Sequence, residues 1–426
     1  MYSRAIIQDE VVADTGRSVP VLEPSAEKAR NLAVVGVFAG IGGIEKGFRA
    51  KGHDSILLCE ADQTARRVLS RHFPGVDLSE DVRSLGALPE CDVVAAGFPC
   101  QDLSQAGRLR GIAGPNSGLI DVLLTLIEKA RPRPEWVVLE NVPFMLKLDR
   151  GQAVERVVTR LEDLGYAWAY RTVDARAFGL PQRRRRVVIV ASNSTDPRQA
   201  LLGVDAGQPP KPRLSSHASG FYWTEGNTGL GWAVDATPPL KGGSGLHIPS
   251  PPAIWFPRRR LIAVPSIEDA ERLQGFPPGW TSLSDGDERA ARQRWRLVGN
   301  AVSVPFAKWI ADRLRISGGY EDYADLELER GAKWPGAAWG VAGRRGASRV
   351  SEWPIVEEQQ HLASFLSQQP KPLSRKATAG FLSRLERSTL RAKPEFLADL
   401  RHHITRHDNE EFTRSQNTQR ENTRRS

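Results

Sequence analysis

Two short motifs hold the side chains best suited to chemistry. In the segment GFPCQ (97–101), Cys100 follows a proline at the predicted end of a buried strand, and Glu140 ends the next one. A thiolate is a good nucleophile toward carbon. A protonated carboxyl can donate to a ring nitrogen and accept from an amino group. The pair therefore suits chemistry on a pyrimidine, in which Cys100 attacks a ring carbon and Glu140 holds N3 and the 4-amino group.

A basic run, QRRRR (182–186), precedes another predicted strand. Alternation along a strand would send Arg184 and Arg186 to one face and Arg183 and Arg185 to the other. One of these pairs can face an anion or a carbonyl oxygen. The alternative interpretation is a solvated basic edge.

A glycine-rich turn, FAGIGG (38–43), lies between a predicted strand and a predicted helix. Glycines there let the backbone turn tightly and approach a ligand. Phe38 could pack on a base, Glu60 could accept from ribose hydroxyls, and Asp81 from the amino group of adenine. GxGxxG spacing and a phosphate-binding lysine are missing, so a nucleoside without phosphates, such as S-adenosylmethionine, fits best. The alternative is a structural turn with ordinary acids beside it.

The bulk composition limits the classes of protein that remain. The chain has 426 residues, 40% of them hydrophobic, and a net charge of +9, which favours a polyanionic partner. Its three cysteines lack zinc spacing and predict neither a disulfide framework nor a metal site. Cys59 and Cys91 are interpreted as buried structural residues. No run approaches the roughly 20 apolar residues of a membrane span, and no signal peptide is evident, so a cytoplasmic protein is expected.

Short apolar runs alternate with amphipathic segments, which predicts an α/β fold with a mainly parallel sheet covered on both faces. The predicted strands are 32–38, 56–59, 92–96, 136–139, 168–173 and 187–191. The predicted helices are 44–51, 64–72, 118–130, 152–164, 266–274 and 305–314.

Changes in composition divide the chain into five regions. Residues 1–30 are expected to be a flexible arm, and residues 31–193 the main catalytic and cofactor-binding domain. Segment 194–257, rich in Gly, Pro, Ser and Trp, predicts a smaller irregular unit, after which residues 258–319 return to the main domain. Residues 320–426 form a C-terminal extension. Its predicted parts are helices near 381–390 and 394–403 and a disordered tail over 408–426.

At these motifs the chain resembles the DNA (cytosine-5)-methyltransferase family, in particular the bacterial enzymes of restriction–modification systems. The resemblance spans about Ala33 to Phe306 and implies a Rossmann-like S-adenosylmethionine-dependent methyltransferase sheet. Segment 194–257 would be the target-recognition region. The matching motifs, in the family's order, are FAGIGG (38–43), Glu60, Asp81, GFPCQ (97–101), ENV (140–142), QRRRR (182–186), ERLQGFP (271–277) and GNAV (299–302).

The resemblance also implies the site residues. Cys100 would attack C6 of a flipped cytosine with help from Glu140, Arg186 would hold the base O2, and Arg184 would hold the base or a backbone phosphate. S-adenosylmethionine would supply the methyl group. The residues implied for its binding are Phe38, Ala39, Gly40, Gly42, Gly43, Glu60, Asp81, Val82, Pro99 and Asn300. The predicted DNA contacts are Gln105, Arg108, Arg110 and Lys241, with Trp223, Trp232, His247 and Trp255 as further candidates, although most of the tryptophans are expected to form a small core.

Two positions depart from the family. Leu297 stands where many members have a glutamine that fills the space left by the extruded base, and Gln105 is a speculative substitute. Ala61 replaces a tryptophan that often follows the ribose acid. The expected partner is double-stranded DNA, with a cognate restriction endonuclease acting separately and the chain itself a monomer. An RNA cytosine-5 methyltransferase and a catalytically silent DNA-binding protein remain as alternatives.

Overall fold

A sheet of ten strands organises the larger part of the molecule, and a second sheet of five strands organises the rest. Residues 31–426 belong to one unit. The structure is a computed structural model. The residues that it describes are 30–98, 118–209, 218–225, 227, 229–242, 250–283, 288–316, 319–366 and 370–406.

Strands and helices alternate up to residue 201, and shorter strands dominate afterwards. The strands are β1 (Ala33–Val37), β2 (Asp54–Cys59), β3 (Asp77–Ser79), β4 (Val93–Gly97), β5 (Trp136–Asn141), β6 (Ala167–Asp174), β7 (Arg185–Ser192), β8 (Ser219–Phe221), β9 (Ala233–Val234), β10 (Ala253–Phe256), β11 (Leu261–Val264), β12 (Leu326–Glu327), β13 (Ala337–Val341), β14 (Arg344–Ala347) and β15 (Lys371–Pro372). The helices are α1 (Gly43–Arg49), α2 (Gln63–His72), α3 (Gly118–Lys129), α4 (Gln152–Asp163), α5 (Pro197–Leu201), α6 (Ile267–Leu273), α7 (Glu288–Asn300), α8 (Val304–Arg313), α9 (Leu362–Phe365), α10 (Arg375–Glu386) and α11 (394–406).

The large sheet has the order β12-β14-β13-β6-β7-β5-β4-β1-β2-β3. The pairs within β3-β2-β1-β4-β5 are parallel, as the alternation of strands and helices predicted. The carboxyl ends of these five strands therefore meet at one edge, which is where ligands bind in open α/β sheets.

The other half of the large sheet is antiparallel, so the expectation of a mainly parallel sheet was wrong for that half. Strands β6 and β7 are joined only by residues 175–184. A parallel crossover needs a dozen or more residues, so this short connection requires an antiparallel pair. The sequence pattern did not reveal this, because both strands are buried runs in either orientation.

Alternate residues of the parallel strands enter two separate cores. Val35 and Val37 pack in a cluster with the apolar sides of α3 and α4, whereas Val34 packs in a cluster with α1 and α8. The sheet is thus covered on both faces, as predicted. The polar side chains of the motifs lie at or just after the ends of its strands.

The C-terminal extension joins both sheets. Strands β12 to β14 extend the large sheet beyond β6, and β15 extends the small sheet, whose order is β15-β11-β10-β8-β9. The predicted helical character is confirmed by α10 and α11, but the strands were not expected. They are short, two of them (β13 and β14) contain glycine, and β13 and β15 pair with strands formed by distant residues. The predicted arm up to residue 29 and the tail over 408–426 lie outside the described residues.

Candidate active site

The end of β4 and the end of β5 lie side by side, with Gly97 in register with Glu140. A Cβ atom on Gly97 would lie 3.5 Å from Oε2 of Glu140 and 3.3 Å from the side chain of Val302. The Nδ2 atom of Asn141 donates to the carbonyl oxygen of Phe98 at 3.4 Å. The carboxyl group of Glu140 therefore lies directly beside the chain that leads into the PCQ motif.

Cys100 and Pro99 lie outside the described residues, as do the predicted DNA contacts Gln105, Arg108 and Arg110 and the candidate His247.

Arg186 faces Glu140 from the neighbouring strand β7. Its Nε atom lies 2.7 Å from Oε1 of Glu140, and the two side chains are 16% and 10% exposed. Glu140 ends the buried strand β5, and β7 runs antiparallel beside it. An ion pair with so little solvent is screened less than a surface pair. The pair thus brings an acid and a guanidinium together where β5 ends and β7 begins.

The predicted alternation along QRRRR is confirmed. Arg184 and Arg186 point toward the Gly-Asn segment and Glu140, whereas Arg185 pairs with Glu352 on the other face. The interpretation as a solvated edge does not hold for the first two, which are both enclosed.

Arg184 is 2% exposed, and its Nη2 atom donates to the carbonyl oxygens of Gly299 at 3.2 Å and Ala301 at 2.8 Å. The predicted contact with the base or a backbone phosphate stays a prediction. The position of Arg184 before β7 directs its side chain into the Gly-Asn segment at the end of α7. There it joins two motifs that are distant in sequence.

The glycine turn is shaped by backbone conformation and by close packing. Gly40 and Gly42 have φ angles of 58° and 84°, in the left-handed region that favours glycine. A Cβ atom on Gly43 would lie 2.2 Å from the carbonyl oxygen of Val302, whereas one on Gly40 would have no atom within 4 Å. Gly43 thus packs the turn against the Gly-Asn segment, and Gly40 borders open space.

Glu60 holds the same turn from the end of β2. Its Oε2 atom accepts from the backbone N–H of Gly40 at 2.8 Å, and its Oε1 atom accepts from that of Asp62 at 2.8 Å. Burial raises the pKa of Glu60. Asp62 caps α2 through Ala65 and also pairs with Arg296 at 2.6 Å. An enclosed carboxyl beside an open glycine turn can accept hydrogen bonds from a bound polar ligand.

Asp81 and Val82 follow β3, next to β2 at the same edge of the sheet. Asp81 accepts from the backbone N–H and Nε of Arg83 at 2.9 and 3.0 Å, and these side-chain and backbone hydrogen bonds lower the pKa of Asp81. The carboxyl group is partly exposed, whereas Val82 is buried in the core beneath it.

Exposed Asn300 ends α7, and its Oδ1 atom would lie 3.0 Å from a Cβ on Gly242.

Two buried glutamine side chains connect motifs that are distant in sequence. The sequence analysis assigned them no role. Gln182 accepts from the backbone N–H of Leu240 at 3.1 Å and donates to the carbonyl oxygen of Leu273 at 2.7 Å. Gln274 donates to Val298 and accepts from Ser303. Both glutamines lie in motifs already noted, QRRRR and ERLQGFP. An amide side chain within a matched motif was the sequence signal that could have identified them. The two glutamines therefore join QRRRR to the segment around Leu240 and ERLQGFP to the Gly-Asn segment.

Lys241 and the candidate tryptophans lie on or near the strands of the small sheet. Lys241 is exposed, and its Nζ atom pairs with Glu225 and lies 3.7 Å from the centre of the Tyr222 ring. Trp232 and Trp255 pack in a core cluster of this sheet, and the indole of Trp223 donates to Pro251. The expectation that most tryptophans form a small core is confirmed.

Two of the three cysteines are structural, as predicted. Cys59 and Cys91 are buried, and burial raises the pKa of Cys59 to about 11 and that of Cys91 to about 12. Neither thiol is ionised near neutral pH.

Leu297, which replaces the family's glutamine, is buried in an apolar cluster that includes Ile254 of β10 and Ala263 of β11.

In the part of the chain that the structure describes, no group of three or more His, Cys, Asp or Glu side chains is arranged to hold a metal ion. No helix in the same residues is long and apolar enough to cross a membrane.

Comparisons with known proteins agree with this geometry. A family model described as C-5 cytosine-specific DNA methylase matches residues 32–220. Type II methyltransferase M2.BsuMI of Bacillus subtilis (strain 168) is 48% identical over 368 residues, which cover 84% of this chain and 94% of that protein. Type II methyltransferase M.BsuFI of Bacillus subtilis is 36% identical over 67% of this chain and 72% of that protein.

Among solved structures, the Dnmt2 methyltransferase of S. pombe matches 67% of this chain and 98% of its own, with a TM-score of 0.51 and 17% identity. This likeness shows the fold, which is the predicted Rossmann-like methyltransferase sheet. The sequence relatives go further, because one is nearly half identical over most of both chains. The chain belongs to the C-5 cytosine-specific DNA methylase family.

Proposed function

We propose that this protein is a DNA (cytosine-5-)-methyltransferase that transfers a methyl group from S-adenosylmethionine to C5 of a cytosine in a specific double-stranded DNA site. Membership of the family and the names of its type II relatives support this assignment. The same names favour a restriction–modification system, in which methylation would protect host DNA from a separate endonuclease.

The observation that carries the proposal is the pair of Glu140 and Arg186 beside the chain leading to Cys100. The carboxyl oxygen lies 2.7 Å from the guanidinium nitrogen, and the register with Gly97 fixes the pair at the end of β4. An acid, a cation and a nearby thiol are the three groups needed around a cytosine ring. The acid would hydrogen-bond N3 and the 4-amino group, the cation would hold O2, and the thiol would attack C6.

The chemistry follows from the weak nucleophilicity of C5. The thiolate of Cys100 would add to C6 as Glu140 passes its proton to N3, so that C5 gains enamine character. When bound, S-adenosylmethionine would supply the methyl group to C5, with the electron pair of the broken S–CH3 bond left on S-adenosylhomocysteine. A base would then remove the proton from C5 and the C5–H electron pair would form the C5=C6 bond. The C6–S bond would break, Cys100 would leave as a thiolate, and N3 would return its proton to Glu140.

These atoms are inaccessible in stacked DNA, so the target cytosine must leave the helix at a cost of a few kcal/mol. Contacts between protein and phosphate offset that cost. The proposed contacts are Gln105, Arg108 and Arg110, which follow the PCQ motif, and Lys241, which follows β9. Segment 194–257 is the proposed target-recognition region. Arg184 supports this site through Gly299 and Ala301.

The residues around the glycine turn fit S-adenosylmethionine. Gly40 borders open space, and the enclosed carboxyl of Glu60 can accept from ribose hydroxyls. Asp81, partly exposed at the neighbouring strand end, can accept from the adenine amino group. No phosphate has to be held, which agrees with the lack of a lysine in the turn.

The test is methyl transfer from labelled S-adenosylmethionine to unmethylated plasmid DNA and, separately, to tRNA. Label in DNA alone is the expected result. Label in tRNA alone would instead identify an RNA methyltransferase, and label in neither a silent DNA-binding protein. The Cys100→Ser variant should lose turnover while retaining cofactor binding, whereas the control Cys91→Ala should remain active. Full activity of Cys100→Ser would refute the covalent mechanism.

A further inference from the structure

The C-terminal helices pack on the small sheet and complete its core. Strand β15 pairs with β11 and leads into α10. Phe381 of α10 and Phe396 of α11 lie with their ring centres 5.0 and 5.1 Å from that of Phe221 on β8. All three rings are at most 1% exposed. The region after residue 370 is therefore built into the same unit as the segment proposed to recognise DNA.

Polar contacts fix α11 on the same sheet. Asp399 is 7% exposed, and its two oxygens accept from Nε1 of Trp255 at 2.9 Å and from Nε of Arg260 at 2.8 Å. Because a buried carboxylate is stable only when paired and hydrogen-bonded, these contacts hold the helix in one position relative to the strands.

Arg384 of α10 reaches further, to the turn that follows β8. Its Nε atom donates to the carbonyl oxygen of Glu225 at 3.0 Å, and its Nη2 atom donates to that of Trp223 at 2.8 Å. The planar fork of a guanidinium suits two carbonyl oxygens at a fixed spacing. The turn over residues 222–225 is thus oriented from the C-terminal extension.

The turn over residues 222–225 contacts the side chain of Lys241. The carboxylate of Glu225 pairs with the ammonium of Lys241, which also lies over the ring of Tyr222. The backbone of Lys241 packs against Gly299, where a Cβ atom would come within 2.9 Å of its carbonyl oxygen. Gly299 in turn accepts from Arg184. One continuous set of contacts therefore leads from α10 to the Gly-Asn segment of the candidate active site.

We propose that α10 and α11 are part of the target-recognition machinery, and that Arg384 is a positioning residue that aims Lys241 at a phosphate of the DNA duplex. This inference rests on the proposed function. Arg384 acts through Glu225 and Lys241, because its guanidinium donates to the backbone of the turn over residues 222–225.

The experiment compares Arg384→Ala, Lys241→Ala and the double variant in methyl transfer to unmethylated plasmid DNA. We expect each single variant to raise KM for DNA by about 10-fold, with kcat and the Kd for S-adenosylmethionine unchanged. The double variant should match Lys241→Ala, because the two residues act through one contact. Multiplicative effects would overturn the inference.

Salt dependence separates aiming from general support of the fold. Loss of one phosphate contact lowers the slope of log K against log salt by about 0.9, and both single variants should show this change in plasmid binding. Arg384→Lys, which keeps the charge but loses the fork, should resemble Arg384→Ala while keeping the wild-type melting temperature. An unchanged slope in a folded Arg384→Lys protein would overturn the inference.

Arg387→Ala is the matched control, since Arg387 directly follows α10, is exposed and, among the described residues, donates to the carbonyl oxygen of Ser383 on α10. It should keep wild-type KM and salt dependence. Wild-type protein that fails to methylate plasmid DNA would sink the proposed function itself. Active wild-type protein with an unaffected Arg384→Ala variant would sink this inference alone.

Discussion

The guanidinium of Arg186 contacts the carboxyl group of Glu140 through its Nε atom at 2.7 Å, across the antiparallel pair β5–β7. The contact joins two motifs that are distant in sequence, ENV (140–142) and QRRRR (182–186). In the proposed function, a bound pyrimidine would have its O2 toward Arg186 and its N3 toward Glu140.

Arg186→Lys should lower kcat for DNA methylation by about 100-fold. A lysine keeps the charge but cannot hold both Glu140 and the base O2 with fixed geometry. Steady-state transfer to plasmid DNA measures the effect. The control is Arg185→Lys, because Arg185 pairs with Glu352 on the opposite face. Equal activity of the two variants would contradict the assigned role of Arg186.

Glu60→Gln should weaken S-adenosylmethionine binding by about 10- to 100-fold. The change removes charge-assisted hydrogen bonds to ribose hydroxyls and loosens the Gly40 turn, which the carboxylate now holds. Calorimetric titration of the protein without DNA measures the Kd. Glu80→Gln is the control, since its side chain is 77% exposed and pairs with Arg66. An unchanged Kd in Glu60→Gln would exclude this carboxylate from the cofactor site.

Glu45→Gln should change the pH dependence of stability. Glu45 is 1% exposed, neither of its carboxyl oxygens has a hydrogen-bond partner among the described residues, and burial raises its pKa from 4.5 to about 8. The folded state therefore binds a proton that the unfolded state releases. Between about pH 5 and pH 8 this group makes the free energy of unfolding fall as pH rises, by about 1.4 kcal/mol per pH unit.

Glutamine cannot ionise, so the variant should match wild type near pH 5 and be more stable near pH 8. Urea unfolding of the protein without cofactor at several pH values measures the difference. A stability gap that stays constant between pH 5 and pH 8 would show that Glu45 does not titrate in this window.

Arg184→Met should lower the free energy of unfolding by about 1–3 kcal/mol, because the buried carbonyl oxygens of Gly299 and Ala301 lose their donor. The loss should also slow methyl transfer, since the Gly-Asn segment borders the glycine turn. Urea unfolding and plasmid methylation are the measurements. Arg185→Met, at a half-exposed neighbouring position, should be nearly neutral in both. Normal stability of Arg184→Met would contradict the structural role.

Much of the site was readable from the sequence because its motifs end strands or begin helices. The short apolar runs before Glu60, Gly97 and Glu140 predicted strands, and parallel strands bring their carboxyl ends to one edge. Alternation in QRRRR then separated Arg184 from Arg185. These are local properties, since periodicity and chain direction depend only on neighbouring residues.

The remaining features depend on contacts between residues far apart in the chain. The burial of Arg184 follows from the position of Gly299, 115 residues later, and no local pattern separates a buried arginine from one that binds phosphate. The strands β12 to β14 exist because β6 presents an open edge.

The sequence by itself determined the order of motifs, the kinds of chemical group and the α/β class, because those follow from residue type and spacing. The tertiary structure alone decided which arginine faces Glu140 and that Arg384 holds the turn beside Lys241. The physical reason is that hydrogen bonds and ion pairs act over a few ångströms in space, whatever the distance along the chain.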